Sequence, residues 1–175
     1  MSKDARALYT AVAIFAIVYI ALGLNKLYAL RYGADLGTYL QTLVNLQHGS
    51  SWNYGEWKHH FAVHDSWALT ALVPIVAIFP RAQTLIVVQV LAVASAAIPL
   101  AMLGREIGLS AKAANVLSIA YLLSPAAQGL SYVNFSENVF VPLLACCGAL
   151  AARRRSLWPP EELSRSYAPD SLRAS

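Results

Sequence analysis

Glu56, His60 and His64 are spaced by four residues. On a helix, one carboxylate and two imidazoles at that spacing share a face and could hold a divalent metal ion. Gly55 and the surrounding aromatic residues favour a loop as much as a helix, and imidazoles solvated beside lipid headgroups are the plainer alternative. All four histidines (His48, His59, His60, His64) fall within 17 residues, and Asp35, Gln41, Lys58 and Asp65 lie with them in the longer segment 26–82. Asp35 sits in Gly33-Ala-Asp-Leu-Gly37 ahead of an apolar periodicity at Tyr39, Leu40, Leu43, Val44 and Leu46. A carboxylate there either caps an amphipathic helix lying on a membrane or acts as a catalytic base. Glu137 interrupts an apolar stretch that otherwise runs from Ala113 to Ala152. At membrane depth a carboxylate is a functional candidate by default, and on an outer turn it would be wet and would cap the next helix. Trp52, Tyr54, Trp57 and Trp67 either stack on a sugar ring or form an interfacial aromatic belt. Asn134-Phe-Ser136 fits a glycosylation acceptor pattern that matters only in a eukaryotic secretory pathway. Cys146 and Cys147 read as small packing residues.

These residues sit in a chain that is mostly apolar. Of 175 residues, 58% are hydrophobic and 13% are charged, and mean hydropathy is +0.51. Soluble domains carry roughly 25% charged residues. This composition excludes disorder, and two adjacent cysteines exclude a disulfide framework. The net charge of +4 comes from scattered single basic residues, not a stripe, so nucleic acid is not an expected partner.

The remaining class is an all-α, polytopic helical membrane protein. Apolar runs predict four transmembrane helices at about residues 7–25, 83–104, 113–131 and 137–152. The first run outlasts a typical signal-peptide core, so it reads as a span and not a cleaved leader. Residues 67–79 give thirteen apolar positions with Pro74 among them. Thirteen helical residues reach about 20 Å, short of the roughly 30 Å hydrocarbon core. That run is therefore read as a juxtamembrane helix inside an outer loop, residues 26–82. Charge bias by itself allows either four or five crossings. With four, both termini are cytoplasmic, and residues 1–152 form the membrane module. Residues 153–175 hold eight of the 22 charged residues and read as a polar cytoplasmic tail.

Three stretches carry a resemblance. They are Ala34-Asp-Leu-Gly-Thr-Tyr-Leu-Gln-Thr-Leu-Val-Asn-Leu-Gln-His-Gly49; His60-Phe-Ala-Val-His-Asp-Ser66 leading to Val73-Pro-Ile-Val-Ala-Ile-Phe-Pro80; and Ala120-Tyr-Leu-Leu-Ser-Pro-Ala-Ala-Gln-Gly129 with Asn134-Phe-Ser-Glu137 and Val141-Pro-Leu-Leu144. Over roughly residues 10–150 the chain resembles a bacterial family of predicted polytopic membrane proteins, itself distantly similar to the GT-C membrane glycosyltransferases. The resemblance implies a GT-C-like module in a bacterial inner membrane, with a polyprenyl-phosphate sugar as donor. Asp35 matches the acidic residue that follows the first span and would be the general base. Lys58, Arg31 or Arg81 would neutralise the leaving phosphate, and His60 and His64 would bind phosphate or a divalent metal. His64 matches a histidine ahead of the juxtamembrane helix, whereas Asp65 and Trp67 depart from the pattern. The Asp-Phe-His pattern before the fourth span appears as Asn134-Phe135-Ser136, with Glu137 retained beside the substrate region. Family members continue with further spans, which implies a truncated relative and leaves its own catalysis open. The alternative is a non-catalytic membrane subunit or scaffold packing with a partner subunit.

Overall fold

A computed structural model of the chain describes residues 3–155. Most of the tail expected from residue 153 lies outside the described residues. The first helix, α1 (Lys3–Tyr28), has 26 residues, with Asp4 in its first turn and Lys26 in its last. Further on, α4 (Ala82–Ser95) and α5 (Ala97–Glu106) run on as one apolar rod. The interruption at Ala96 has a local cause: Pro99 lacks an N–H for the Ser95 carbonyl and crowds it. Asp4–Tyr28 and Ala82–Glu106, 25 residues each, are long and apolar enough to cross a membrane. Only 22% of the apolar window of α1 is buried inside the fold, against 61% for the second helix. Ile14, Ile17, Val18 and Leu22 on α1 are exposed, a face that lipid would cover.

The expected 113–131 span is two helices, α6 (Ala111–Leu122) and α7 (Pro125–Tyr132). The break is written in the sequence. Ser124 accepts the Ala127 N–H as an N-cap, and Pro125 occupies the first turn, where its missing N–H costs nothing. The segment expected at 137–152 is a 3₁₀ turn, Glu137–Phe140, followed by α8 (Val141–Arg154). At 14 residues, α8 is about 21 Å long. Among the described residues, only the two 25-residue helices reach spanning length unaided.

Long-range hydrogen bonds define two ends of the bundle. At one end Asn115 donates to the Asp4 carbonyl and accepts from Arg105, while Arg154 pairs with Glu106 at 3.1 Å. At the other, Lys26 donates to the Tyr132 carbonyl, and Gln83 reaches the Tyr28 hydroxyl. The chain therefore passes between the same two ends four times, along α1, α4–α5, α6–α7 and α8. Gln89 reinforces this by donating to the Leu130 and Val133 carbonyls at 2.7 and 3.3 Å, which ties α4 to the end of α7.

Close approach of α1 to α4 depends on Gly23. A Cβ there would lie 2.7 Å from Ile86 Cγ2, and Ile86 is fully buried. Small residues are what let helix backbones meet in a membrane. Gly23→Leu is expected to lower stability by about 1–3 kcal/mol through overpacking. Thermal unfolding of the detergent-solubilised protein measures it, and an unchanged midpoint would mean that the two helices do not meet here.

Between α1 and α4 the chain folds over the second end. The helix α2 (Ala34–Leu46) buries Leu36 and Leu43. Its polar side chains are occupied by a short hairpin, β1 (Trp52–Asn53) with β2 (Lys58–His59). Asn53, fully buried, donates to the Thr38 carbonyl and to Thr42 Oγ1 and accepts from the Gly55 N–H. Asn45 donates to the Trp52 carbonyl, and Gln41 accepts from the Tyr54 N–H. The helix thus has one face on the core and the opposite face under the hairpin. A 3₁₀ turn, His60–Ala62, leads to a second, Trp67–Leu72, which runs into the short α3 (Val73–Ile78).

Candidate functional site

Asp35 lies in the first turn of α2, where a negative charge complements the helix dipole. It is not the N-cap. Gly33 holds that position, and no side chain caps the helix. Instead Asn134, from the turn after α7, grips the start of α2. Its Oδ1 accepts from the Gly33 N–H at 3.2 Å, and its Nδ2 donates to Asp35 Oδ2 at 3.3 Å. This clasp joins positions 99 residues apart. Asp35 remains exposed to solvent.

One turn along the helix, Tyr39 donates its hydroxyl to Glu137 Oε2 at 2.8 Å. Its ring meets the His60 ring edge-on at 5.4 Å and the buried Phe135 at 5.4 Å. The Asn134–Glu137 turn is thus held against α2 by hydrogen bonds from both of its ends and by one aromatic contact.

Glu56, His60 and His64 come together beside Tyr39, whose ring meets that of His60. The spacing suggests a helix, but a hairpin and a 3₁₀ turn gather them. Trp57 takes a left-handed φ of 52° in the hairpin turn, and His60 begins the 3₁₀ turn that carries the chain back. Glu56 Oε1 lies 3.0 Å from His60 Nδ1 and 3.2 Å from His64 Nε2. His60 is fully buried, and its Nε2 lies 2.9 Å from Ser66 Oγ, itself buried. His59 stands apart, within 3.2 Å of Ser51, and His48 is exposed beyond α2.

Three carboxylates act on one phenol. Burial first, then the hydrogen bond to Glu137, then the charges of Glu137, Asp35 and Glu56 push the Tyr39 hydroxyl well above the usual tyrosine range. A phenol is neutral when protonated, so a raised value means that folding retains the proton. The stability this contributes is complete below the ordinary value near 10 and is lost as pH climbs from there through the folded value. Tyr39→Phe is expected to cost about 1.5 kcal/mol at neutral pH, for a hydrogen bond to a charged acceptor. It is also expected to make the fall in melting temperature above pH 10 shallower than in the parent. An equally steep fall in the variant would show that this phenol carries none of the alkaline sensitivity.

Among the described residues, no lysine or arginine pairs with Asp35, Glu56 or Glu137. Arg31, Lys58 and Arg81 are exposed, on the α1–α2 link, on β2 and just before α4, and the structure brings none of them onto a carboxylate. Lys26, by contrast, is held at this end by its contacts. Its Nζ stands 4.2 Å over the Tyr32 ring and 5.1 Å from the Tyr132 ring. Tyr132 and Tyr19 also line an apolar cleft of about 280 Å³. Through Tyr19 and Gln128 that cleft adjoins a second, of about 350 Å³, between α1 and α6. Sequence reasoning names neither Lys26 nor Tyr39 nor Ser66 as site residues. The available signal for Tyr39 is its position four residues after Asp35.

Comparison with family models matches residues 26–159 to the family described as "Predicted membrane protein (DUF2079)". No curated protein and no solved structure matches the chain.

Proposed function

The chain belongs to the DUF2079 family of predicted membrane proteins, and on that premise we propose that it is a four-crossing glycosyltransferase relative working at the outer face of a bacterial inner membrane. The proposed donor is a polyprenyl-phosphate sugar. Asp35 takes the proton from an acceptor hydroxyl, the hydroxyl oxygen attacks the anomeric carbon, and the carbon–oxygen bond to phosphate breaks. Polyprenyl phosphate leaves with the bonding electron pair.

The observation that carries this reading is the convergence of Asp35 with Glu137 and Glu56 around Tyr39, at one end of an apolar bundle. A base for an acceptor hydroxyl must be reachable from water, and Asp35 is exposed. A polyprenyl tail needs apolar surface beside the site. The paired clefts along α1 supply it, and Lys26 stands near the residue that lines one of them. Lys26, Arg31, Lys58 and Arg81 are the lysines and arginines of residues 26–82 and the candidates to neutralise the phosphate.

The second reading, a non-catalytic subunit, has one specific observation in its favour. The largely unburied apolar face of α1 would suit a partner's helices as well as lipid. Reconstitution in proteoliposomes separates the two. With polyprenyl-phosphate glucose or mannose outside, the proposed enzyme consumes the donor above the rate of empty vesicles. If neither donor is consumed while the protein co-purifies with a membrane partner at fixed stoichiometry, the subunit reading replaces it.

A further inference from the structure

We propose that Glu56, His60 and His64 form a zinc site on the folded segment that precedes α3. This assignment is independent of the sugar-transfer reading. Each of the three residues offers one ligand atom, and those atoms all lie within 4.8 Å of one another. Ligands around a tetrahedral zinc ion at about 2.1 Å stand roughly 3.4 Å apart. The 3.0 and 3.2 Å separations of Glu56 Oε1 from the two imidazoles are already close to that spacing. Only the separation between the two histidine nitrogens needs to adjust, and the rings are already neighbours, with centroids 4.9 Å apart and planes 34° from parallel. Two imidazoles with one carboxylate select zinc or another borderline transition ion over magnesium, which takes oxygen ligands in octahedral geometry.

The surroundings of His60 are those of a prepared ligand. Its ring is buried, so its orientation is fixed, and the nitrogen pointing away from Glu56 meets a buried serine hydroxyl at 2.9 Å. Without metal, His60 Nδ1–H donates to Glu56, and Nε2 accepts from Ser66. With metal, Nδ1 gives its lone pair to the ion, the ring proton resides on Nε2, and Ser66 Oγ accepts it. A serine hydroxyl serves in either direction, so Ser66 can pair with Nε2 whether or not the ion is bound. His64 is 47% exposed, which gives the ion a way in. The fourth coordination position is left to water or to an anionic oxygen ligand.

The test uses the full chain, purified in detergent, freed of any affinity tag and stripped with a chelator. Zinc is added, excess is removed, and bound metal is counted by mass spectrometry. The expected result is one zinc per chain, unaffected by millimolar magnesium. His64→Ala and Glu56→Gln are expected to weaken zinc binding by more than about 100-fold, and Ser66→Ala by about 10–100-fold. His48→Ala and His59→Ala are expected to bind as the parent does. Because His64 is exposed, its variant isolates the ligand from the fold, and circular dichroism checks that the fold persists. Cobalt is expected to give four-coordinate visible bands in the parent and none in His64→Ala. Zinc well below one per chain, or equal zinc binding in the parent and in His64→Ala, overturns the site. Metal is the only quantity read, so failure of sugar transfer leaves this result standing, and the reverse.

Discussion

Asp35→Asn is expected to reduce donor consumption by about 10²–10⁴-fold, the range that a positioned general base contributes. The substitution is nearly isosteric, and the amide oxygen can still accept from Asn134 Nδ2, so the clasp on α2 survives. What is lost is the charge in the first helical turn, worth about 0.3–1 kcal/mol at an exposed site. Stability and membrane insertion should therefore barely move while catalysis collapses. Asp35→Glu keeps the base but pushes it one methylene further out, and an intermediate rate is expected because positioning governs proton transfer. Both rates are read in proteoliposomes against the parent, with melting temperature as the control. An Asp35→Asn variant that consumes donor at the parental rate removes Asp35 as the base.

The residues that make Asp35 a candidate differ in how openly the sequence displays them. The helices α1 and α4–α5 are legible because long uncharged runs have few other uses in a chain with 13% charged residues. The division between α6 and α7 is legible too, since Ser124-Pro125 is a cap followed by a helix-starting proline. An unbroken apolar stretch conceals it only when hydropathy is read without caps. The trio Glu56, His60 and His64 is drawn together by its four-residue spacing in the sequence and by a hairpin in the structure. Helical periodicity therefore names residues that a different geometry makes neighbours. That geometry rests on Asn53, whose three hydrogen bonds to Thr38, Thr42 and Gly55 fix the turn. Tyr39 is the least legible. Its partner Glu137 is 98 residues away, and nothing local in either segment announces the other. In α2 its aromatic ring fits the apolar periodicity, and only the fold shows the hydroxyl aimed at a carboxylate.

Cysteines introduced by Ser50→Cys and by Arg81→Cys, on a background of Cys146→Ala and Cys147→Ala, are expected to react with an impermeant maleimide on intact cells. A cysteine introduced by Leu109→Cys is expected to react only after permeabilisation. The contrast should be nearly all or none, because a bilayer admits no partial access for a charged reagent. The reasoning starts from length. Six 3₁₀ residues, Trp67–Leu72, and six helical ones, Val73–Ile78, together rise about 21 Å, against roughly 30 Å of hydrocarbon. It continues with position. Gln83 at the start of α4 reaches the hydroxyl of Tyr28 at the end of α1, so the chain leaves and re-enters the bundle at the same end. If α1 crosses once, everything between Tyr28 and Gln83 begins and finishes on one side. Charge then selects the side. Lys3, Arg6, Arg105, Lys112, Arg153, Arg154 and Arg155 lie at the opposite end, seven basic residues in short segments. Lys26, Arg31, Lys58 and Arg81 make four in a stretch of more than fifty residues, and basic residues near membrane ends face the cytoplasm. With that orientation Asp35, Tyr39 and the histidines would all lie on the outer side, which is what the labelling checks. Were the cysteines introduced at positions 50 and 81 to label from opposite sides, residues 67–78 would have to traverse the bilayer, and the contact between Tyr28 and Gln83 could not exist in the membrane.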